Sequence, residues 1–259
     1  MLADRDSHGR HIVAMGGLSR ERDNGPLLEY CLKLADTSRP KVGFIATASG
    51  DAPTYVQRFE EIIAGLICEP SHLPLFARTP DVSEWVKAQD VILVGGGNTK
   101  SMLAVWREWD LPALLRDAWD GGTVLCGWSA GAICWFEQAS LIPTPAGWVL
   151  NVLGFLPGSC CPHYNGQKLT VDKPITGYSR RNRIPSGIAI DDCVSVHFVD
   201  QAPWQIVRLE NPLEPIGLNV AGLTSKNGHL TCVKPSLVVT DGGVVGVKAL
   251  AQEHRTIVS

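Results

Sequence analysis

Thr123-Val124-Leu125-Cys126-Gly127-Trp128-Ser129-Ala130-Gly131-Ala132-Ile133-Cys134-Trp135-Phe136 reads as an apolar strand, a G-x-S-x-G turn and the start of a helix. A chain that leaves a strand and enters a helix through so tight a corner needs small residues on both sides of the serine, because the two elements nearly touch there. The Ser129 hydroxyl is then presented at the carboxyl edge of a sheet. The Ala130 amide opens the helix and can face an oxyanion. This is the geometry of a nucleophile elbow. In a chain with 26 glycines the pentapeptide alone says little; the strand before it and the helix after it are the context the motif requires.

Outward from this turn, short apolar runs alternate with amphipathic ones. Strands are predicted at 11–15, 41–46, within 67–75, at 91–94 and at 123–126, and helices at 26–35, 53–65 and 82–88, with one long helix over 98–119. Repeated strand, helix, strand means a parallel sheet covered on both faces by right-handed crossovers, with ligands at the carboxyl ends of the strands. Beyond Glu137, prolines and glycines multiply. Strand patterns at 187–190, 194–199 and 205–209 follow with little helix between, and 237–239 with 244–247 reads as a hairpin about Asp241-Gly242-Gly243. The expected fold is α/β: a mostly parallel sheet with an antiparallel C-terminal extension of the same sheet, in a single domain over 1–259.

Composition narrows the function. The 259 residues are 45% hydrophobic and 19% charged, enough for a full core, and the net charge of −3 provides no basic field for nucleic acid. The polar start, Met1-Leu2-Ala3-Asp4-Arg5-Asp6, lacks a signal-peptide core, and no apolar run reaches the length of a membrane span. A soluble, cytoplasmic protein is expected. The eight cysteines (31, 68, 126, 134, 160, 161, 193 and 232) sit mostly among aliphatic residues and read as reduced small hydrophobes. Without a C-x-x-C pair or a helical histidine pair, no metal site is expected. Cys160-Cys161 is read as packing beside a site rather than as a redox pair.

A second glycine cluster follows the strand at 91–94. Gly95-Gly96-Gly97-Asn98-Thr99 is a loop whose bare backbone can approach a bound group, with Asn98 and Thr99 as helix caps and its amides as a second oxyanion donor. The spacing is not that of a dinucleotide fingerprint. A serine nucleophile needs a base. Of seven histidines, His163 in Cys160-Cys161-Pro162-His163-Tyr164-Asn165-Gly166 is presented from a loop, whereas His197, alternating with Val196 and Phe198, reads as a solvent-facing or satisfied sheet residue. The orienting acid is Asp191 or Asp192. Adjacent carboxylates on an extended chain point in opposite directions, so at most one faces the histidine.

These residues resemble the peptidase E family and its relatives, including cyanophycinase: serine peptidases on a class I glutamine amidotransferase-like (flavodoxin-like) fold, a three-layer sandwich. The likeness runs from Lys41 to about Phe198 on four motifs in order: V-G-G-G-N-T at 94–99, G-W-S-A-G-A at 127–132, P-H-Y-N at 162–165 and I-D-D at 190–192. It implies Ser129 as nucleophile, His163 as general base and Asp192 as third member, with the amides of Gly97 and Ala130 as oxyanion hole and Asn98 contacting substrate. The order Ser, His, acid differs from the Ser, acid, His of α/β-hydrolases.

Peptidase E carries Glu where this chain has Asp192, and the shorter side chain must bring the strand end closer or lengthen the hydrogen bond. The family also has a T-R-x-x-R segment that grips the carboxylate of an N-terminal aspartate. Ser179-Arg180-Arg181-Asn182-Arg183 resembles it, which makes Arg180 and Arg183 the expected substrate ligands; an arginine cluster is also a common solvated face. The stretch 200–220 has no recognised counterpart. The resemblance implies an exopeptidase that releases an N-terminal Asp from dipeptides through an acyl-enzyme, without metal or cofactor. Its alternatives are a cyanophycinase-like hydrolase of β-Asp-Arg material and a catalytically silent small-molecule-binding protein. The expected partners are a short peptide and at most a second copy in a homodimer, with neither nucleic acid nor membrane.

Overall fold

The computed structural model describes residues 9–19, 23–140, 149–164, 187–208, 220–226, 229–233, 239–240 and 243–244. The first half alternates as the sequence predicts: β1 (His11–Met15), α1 (Gly25–Leu32), β2 (Lys41–Ile45), a 3-10 turn (Thr47–Ser49), α2 (Pro53–Ile63), β3 (Glu69–His72), α3 (Val82–Lys87), β4 (Val91–Val94), α4 (Thr99–Glu108), α5 (Leu111–Asp120), β5 (Val124–Trp128) and α6 (Ala130–Ile133). Then come β6 (Phe136–Ser140), β7 (Val149–Asn151), β8 (Leu156–Cys161), β9 (Gly187–Ile190), β10 (Val194–Val199), β11 (Ala202–Arg208), β12 (Val220–Lys226) and β13 (His229–Val233). The predicted hairpin is present in part, as β14 (Val239–Thr240) antiparallel to β15 (Gly243–Val244).

The main sheet has the order β11-β10-β1-β5-β4-β2-β3. Its five strands from β1 to β3 are parallel, and β10 and β11 extend it in antiparallel fashion beside β1. Side chains alternate along each strand. Val13, Met15, Val42, Phe44, Leu93 and Cys126 meet α1 and α2 on one face; Ile12, Ala14, Ile45, Ile92, Val94 and Leu125 meet α3 to α6 on the other. The second face also packs residues of another sheet, Phe136, Leu156, Cys160 and Ile190 among them. No helix among the described residues is long and apolar enough to cross a membrane.

Three expectations are corrected. The run 98–119 is two helices, broken at Asp110, whose φ is 51°. The ring of Pro112, in the first turn of α5, would clash with the carbonyl four residues earlier, at Glu108, where α4 stops. The helix after Ser129 is a single turn, because Trp135 and Phe136 are fully buried and Phe136 pairs with Leu156 in a strand. Finally, 187–190 does not join the main sheet. As β9 it lies in a six-stranded mixed sheet of order β13-β12-β9-β8-β6-β7, and only β10 and β11 form the predicted extension.

His197 is 2% exposed, so it is satisfied rather than solvent-facing. Its ring nitrogens meet Tyr30 Oη at 2.8 Å and His11 Nδ1 at 2.9 Å, and Tyr30 Oη also reaches Gln205 Oε1 at 3.3 Å. This polar network ties β1, β10 and β11 to α1.

Candidate active site

The chain leaves β1 towards α1 on one face of the sheet and leaves β5 into α6 on the other. Adjacent strands whose connections part in this way open a crevice at their carboxyl ends. Ser129 stands in this crevice, with φ 56° and ψ −116°, values that ordinary residues avoid. The neighbouring glycines are required. A Cβ on Gly127 would lie 2.3 Å from the Gly131 carbonyl oxygen, and one on Gly131 would lie 2.1 Å from that of Val94. The Ser129 carbonyl accepts from the amides of Ala132 and Ile133 at 3.0 Å. The Ala130 amide belongs to the first helical turn, whose N–H groups have no intrahelical acceptor.

Three consecutive carbonyls at the end of β1 hold the segments of the expected triad together. The oxygen of Met15 accepts from Ser129 N at 3.2 Å, that of Gly16 from His163 N at 3.2 Å, and that of Gly17 from Cys193 N at 2.9 Å. Gly17 also bridges Asp192 in parallel. Glycine is necessary at both positions. A Cβ on Gly16 would sit 2.1 Å from the Asp191 carbonyl oxygen, and one on Gly17 would sit 2.0 Å from Asp192 Oδ1 and 2.6 Å from His163 Cε1. Nothing in the sequence reading singled out these two glycines. The signal was available, since Met15-Gly16-Gly17 follows a buried strand just as Val94-Gly95-Gly96 does.

His163 Nδ1 lies 2.5 Å from Asp192 Oδ1, with the ring 40% and the carboxylate 33% exposed. The pair is therefore reachable from solvent, and Asp192 rather than buried Asp191 is the acid that meets the histidine. His163 itself has a left-handed φ of 54°. Asp192 reaches the ring from the turn after β9, where it bridges Gly17. Among the described residues no hydrogen bond runs from Ser129 Oγ to the imidazole. The two residues hang from adjacent carbonyls, and such bonds often tighten only when substrate arrives.

The Gly95–Gly97 loop closes the other side. Gly96 faces the serine, since a Cβ there would lie 3.0 Å from Ser129 Cβ. Gly97 has a φ of 141°, and its missing Cβ would lie 2.1 Å from the Ala48 carbonyl oxygen, which accepts from Asn98 N at 2.7 Å. Asn98 Oδ1 caps α4 by accepting from Ser101 N at 3.0 Å, so its Nδ2 is the group left to meet a ligand. Arg180 and Arg183, with Asn165 of the P-H-Y-N motif, lie outside the described residues.

Burial pushes the Cys161 thiol up to about 12 and the Cys160 thiol well above its ordinary range. Both stay protonated at neutral pH and act as packing. Among the described residues no group of three or more His, Cys, Asp or Glu side chains could hold a metal ion.

Comparison with known proteins gives the family. The model of peptidase family S51 matches residues 12–206. The chain belongs to peptidase family S51. Within reach of that family it is 43% identical over 202 residues to the uncharacterized peptidase YgaJ of Bacillus subtilis, covering 76% of this chain and 87% of that protein. It is 29% identical over 200 residues to peptidase E of Shewanella putrefaciens, covering 74% of this chain and 80% of the relative. The crystal structure of a peptidase from an acI-B1 Actinobacterium superposes with a TM-score of 0.66 at 18% identity, over 88% of this chain and 96% of the other. That last likeness bears on the fold alone.

Proposed function

We propose that this S51 peptidase is a serine-type exopeptidase that cleaves short peptides through an acyl-enzyme. The observation that carries the reading is the strained Ser129 hanging from the same strand end as the hydrogen-bonded His163–Asp192 pair. With Nδ1 turned to Asp192, the neutral ring carries its proton there and leaves Nε2 as the base. Ser129 Oγ attacks the scissile carbonyl while His163 Nε2 takes the hydroxyl proton, and Asp192 stabilises the imidazolium. The carbonyl oxygen becomes an oxyanion that rests on the amides of Gly97 and Ala130. As the C–N bond breaks, His163 hands its proton to the leaving amine. Water, deprotonated by His163, then cleaves the ester and restores Ser129.

For specificity we propose an N-terminal Asp gripped through its side-chain carboxylate by Arg180, with Arg183 as a second substrate ligand and Asn98 Nδ2 on the substrate backbone. A guanidinium fork suits a carboxylate, and an ionised partner strengthens each hydrogen bond about twofold. The test compares kcat/KM for Asp-Leu, Glu-Leu, Ala-Leu and β-Asp-Arg in the wild type and in Arg180→Ala. Asp-Leu should lead in the wild type and fall far more than Ala-Leu in the variant. An unchanged Asp-Leu to Ala-Leu ratio would remove the arginine from substrate recognition, and β-Asp-Arg as best substrate would move the enzyme to the cyanophycinase-like reading.

A further inference from the structure

Asp51 lies outside the machinery described so far, at the end of the turn that follows β2. Its φ is 53° and that of the preceding Gly50 is 68°. A left-handed non-glycine residue persists only where its surroundings over-determine it. Here they do. Asp51 Oδ2 accepts from the amides of Leu75 at 2.6 Å and Phe76 at 3.2 Å, in the segment after β3. Its other oxygen faces His72 Nε2 at 3.8 Å, both atoms being shut off from solvent. Burial pushes the Asp51 carboxyl up, but His72 and the two amides outweigh it and hold the group below the usual carboxylate range.

The turn that Asp51 anchors is closed from within. The amides of Ser49 and Asp51 and the Ser49 hydroxyl all donate to the Ala46 carbonyl, Gly50 N donates to Thr47 O, and buried Trp106 Nε1 donates to Thr47 Oγ1 at 3.0 Å. What this rigid turn presents to the site is the Ala48 carbonyl. That oxygen accepts from Asn98 N at 2.7 Å and fills the space a side chain on Gly97 would need. The loops after β3, β2 and β4 are thus coupled in series, and the series ends at Gly96 against Ser129.

We propose that Asp51 is a positioning residue for the Ser129 reaction: by clamping the turn after β2 to the segment after β3, it fixes the Ala48 carbonyl and through it the Gly97 amide that receives the oxyanion. The inference rests on the serine peptidase reading above. An oxyanion donor is used in the transition state and not in the Michaelis complex, so displacing it lowers kcat and leaves KM.

The test measures hydrolysis of the best dipeptide by Asp51→Ala, Asp51→Asn and Asp51→Glu, per folded molecule, together with inhibition by a matched peptide aldehyde, whose adduct with Ser129 carries the oxyanion. Asp51→Ala should lose roughly 10- to 100-fold in kcat, less than the ~10²- to 10³-fold of deleting an oxyanion donor outright. KM should stay within about twofold, and aldehyde affinity should fall by the same factor as kcat/KM. Asp51→Asn, which keeps an oxygen for the two amides, should recover most of the loss. If Asp51→Ala does not fold, Asp51→Glu, with one methylene too many, carries the same expectation. A variant that melts lower but keeps kcat and aldehyde affinity, or one that raises KM alone, would overturn the proposal. Unimpaired hydrolysis by Ser129→Ala would instead overturn the peptidase mechanism on which it rests.

Discussion

At the scale of the residue, Ser129 and Gly17 are held in place by opposite constraints. Ser129 occupies a backbone conformation that costs about 1–3 kcal/mol in a non-glycine residue, whereas a glycine there would cost about 0.5–1 kcal/mol in extra chain entropy. Strain is the larger of the two. Ser129→Gly should therefore melt above the wild type while losing hydrolysis by ~10⁴-fold or more, the usual loss of a triad nucleophile. Thermal unfolding and a dipeptide assay on the same sample check both halves; a less stable variant would deny the strain. Gly17→Ala makes the converse case. Its methyl would sit 2.0 Å from Asp192 Oδ1, so the half-exposed His163–Asp192 pair must move apart. We expect a folded protein with kcat lowered by at least about tenfold, since small misplacements at a reacting centre cost up to ~10²-fold. Wild-type kcat would show that the pair does not need this glycine. Ser129 and His163 were legible as candidates from the turn and the loop that carry them, and Asp192, as against Asp191, only through the family resemblance. Gly16 and Gly17 were not, because an absent side chain shows its purpose only when the neighbour that fills its space is known.

At the scale of the element, the parallel strands and their helices were legible from periodicity, and the errors have one cause. The apolar stripe of Trp106, Leu111, Leu115 and Trp119 continues across the break between α4 and α5, all four being fully buried, so the pattern hid a stop that Pro112 imposes through the backbone. Similarly, Trp135 and Phe136 look like the next turn of a helix until their burial against the second sheet is known. Of the two caps read in the sequence, Asn98 caps α4 and Thr99 is the first residue of that helix; the cap of α3 was not read in advance. Asp81 ends its loop by accepting from Glu84 N at 2.9 Å at the start of α3. Asp81→Ala should cost about 1 kcal/mol, a fall of roughly 2–4 °C in a chain of this size. Calorimetry checks the melting point and the dipeptide assay should be unaffected; a drop in kcat would mean that α3 communicates with the site.

For the whole molecule, the feature hidden from sequence is the passage from one sheet to the other. The chain runs out of the second sheet along β9, turns at Asp191-Asp192-Cys193 and enters the main sheet as β10. Strand patterns do not say which sheet a strand joins, yet this turn is what delivers Asp192 to Gly17. Beside it, the His197 network gives the molecule a pH dependence of stability. Burial, with His11 adding, lowers the His197 pKa from 6.5 to about 4. Above pH 6.5 both folded and unfolded chains hold it neutral and nothing changes; between 6.5 and 4 only the unfolded chain takes up the proton, so stability falls as pH falls. The loss amounts to roughly 3 kcal/mol by pH 4. Urea unfolding between pH 7 and 4 should show this slope, and His197→Gln should flatten it.

The proposed hydrolysis runs entirely through Ser129 as the nucleophile. Diisopropyl fluorophosphate, followed by peptide mapping in a mass spectrometer, tests this most directly. One diisopropylphosphoryl group should appear on the peptide that contains Ser129, hydrolysis should disappear in proportion to labelling, and Ser129→Ala should take up no label. Full labelling with undiminished hydrolysis, or a label that resides on another residue while activity is lost, would contradict it.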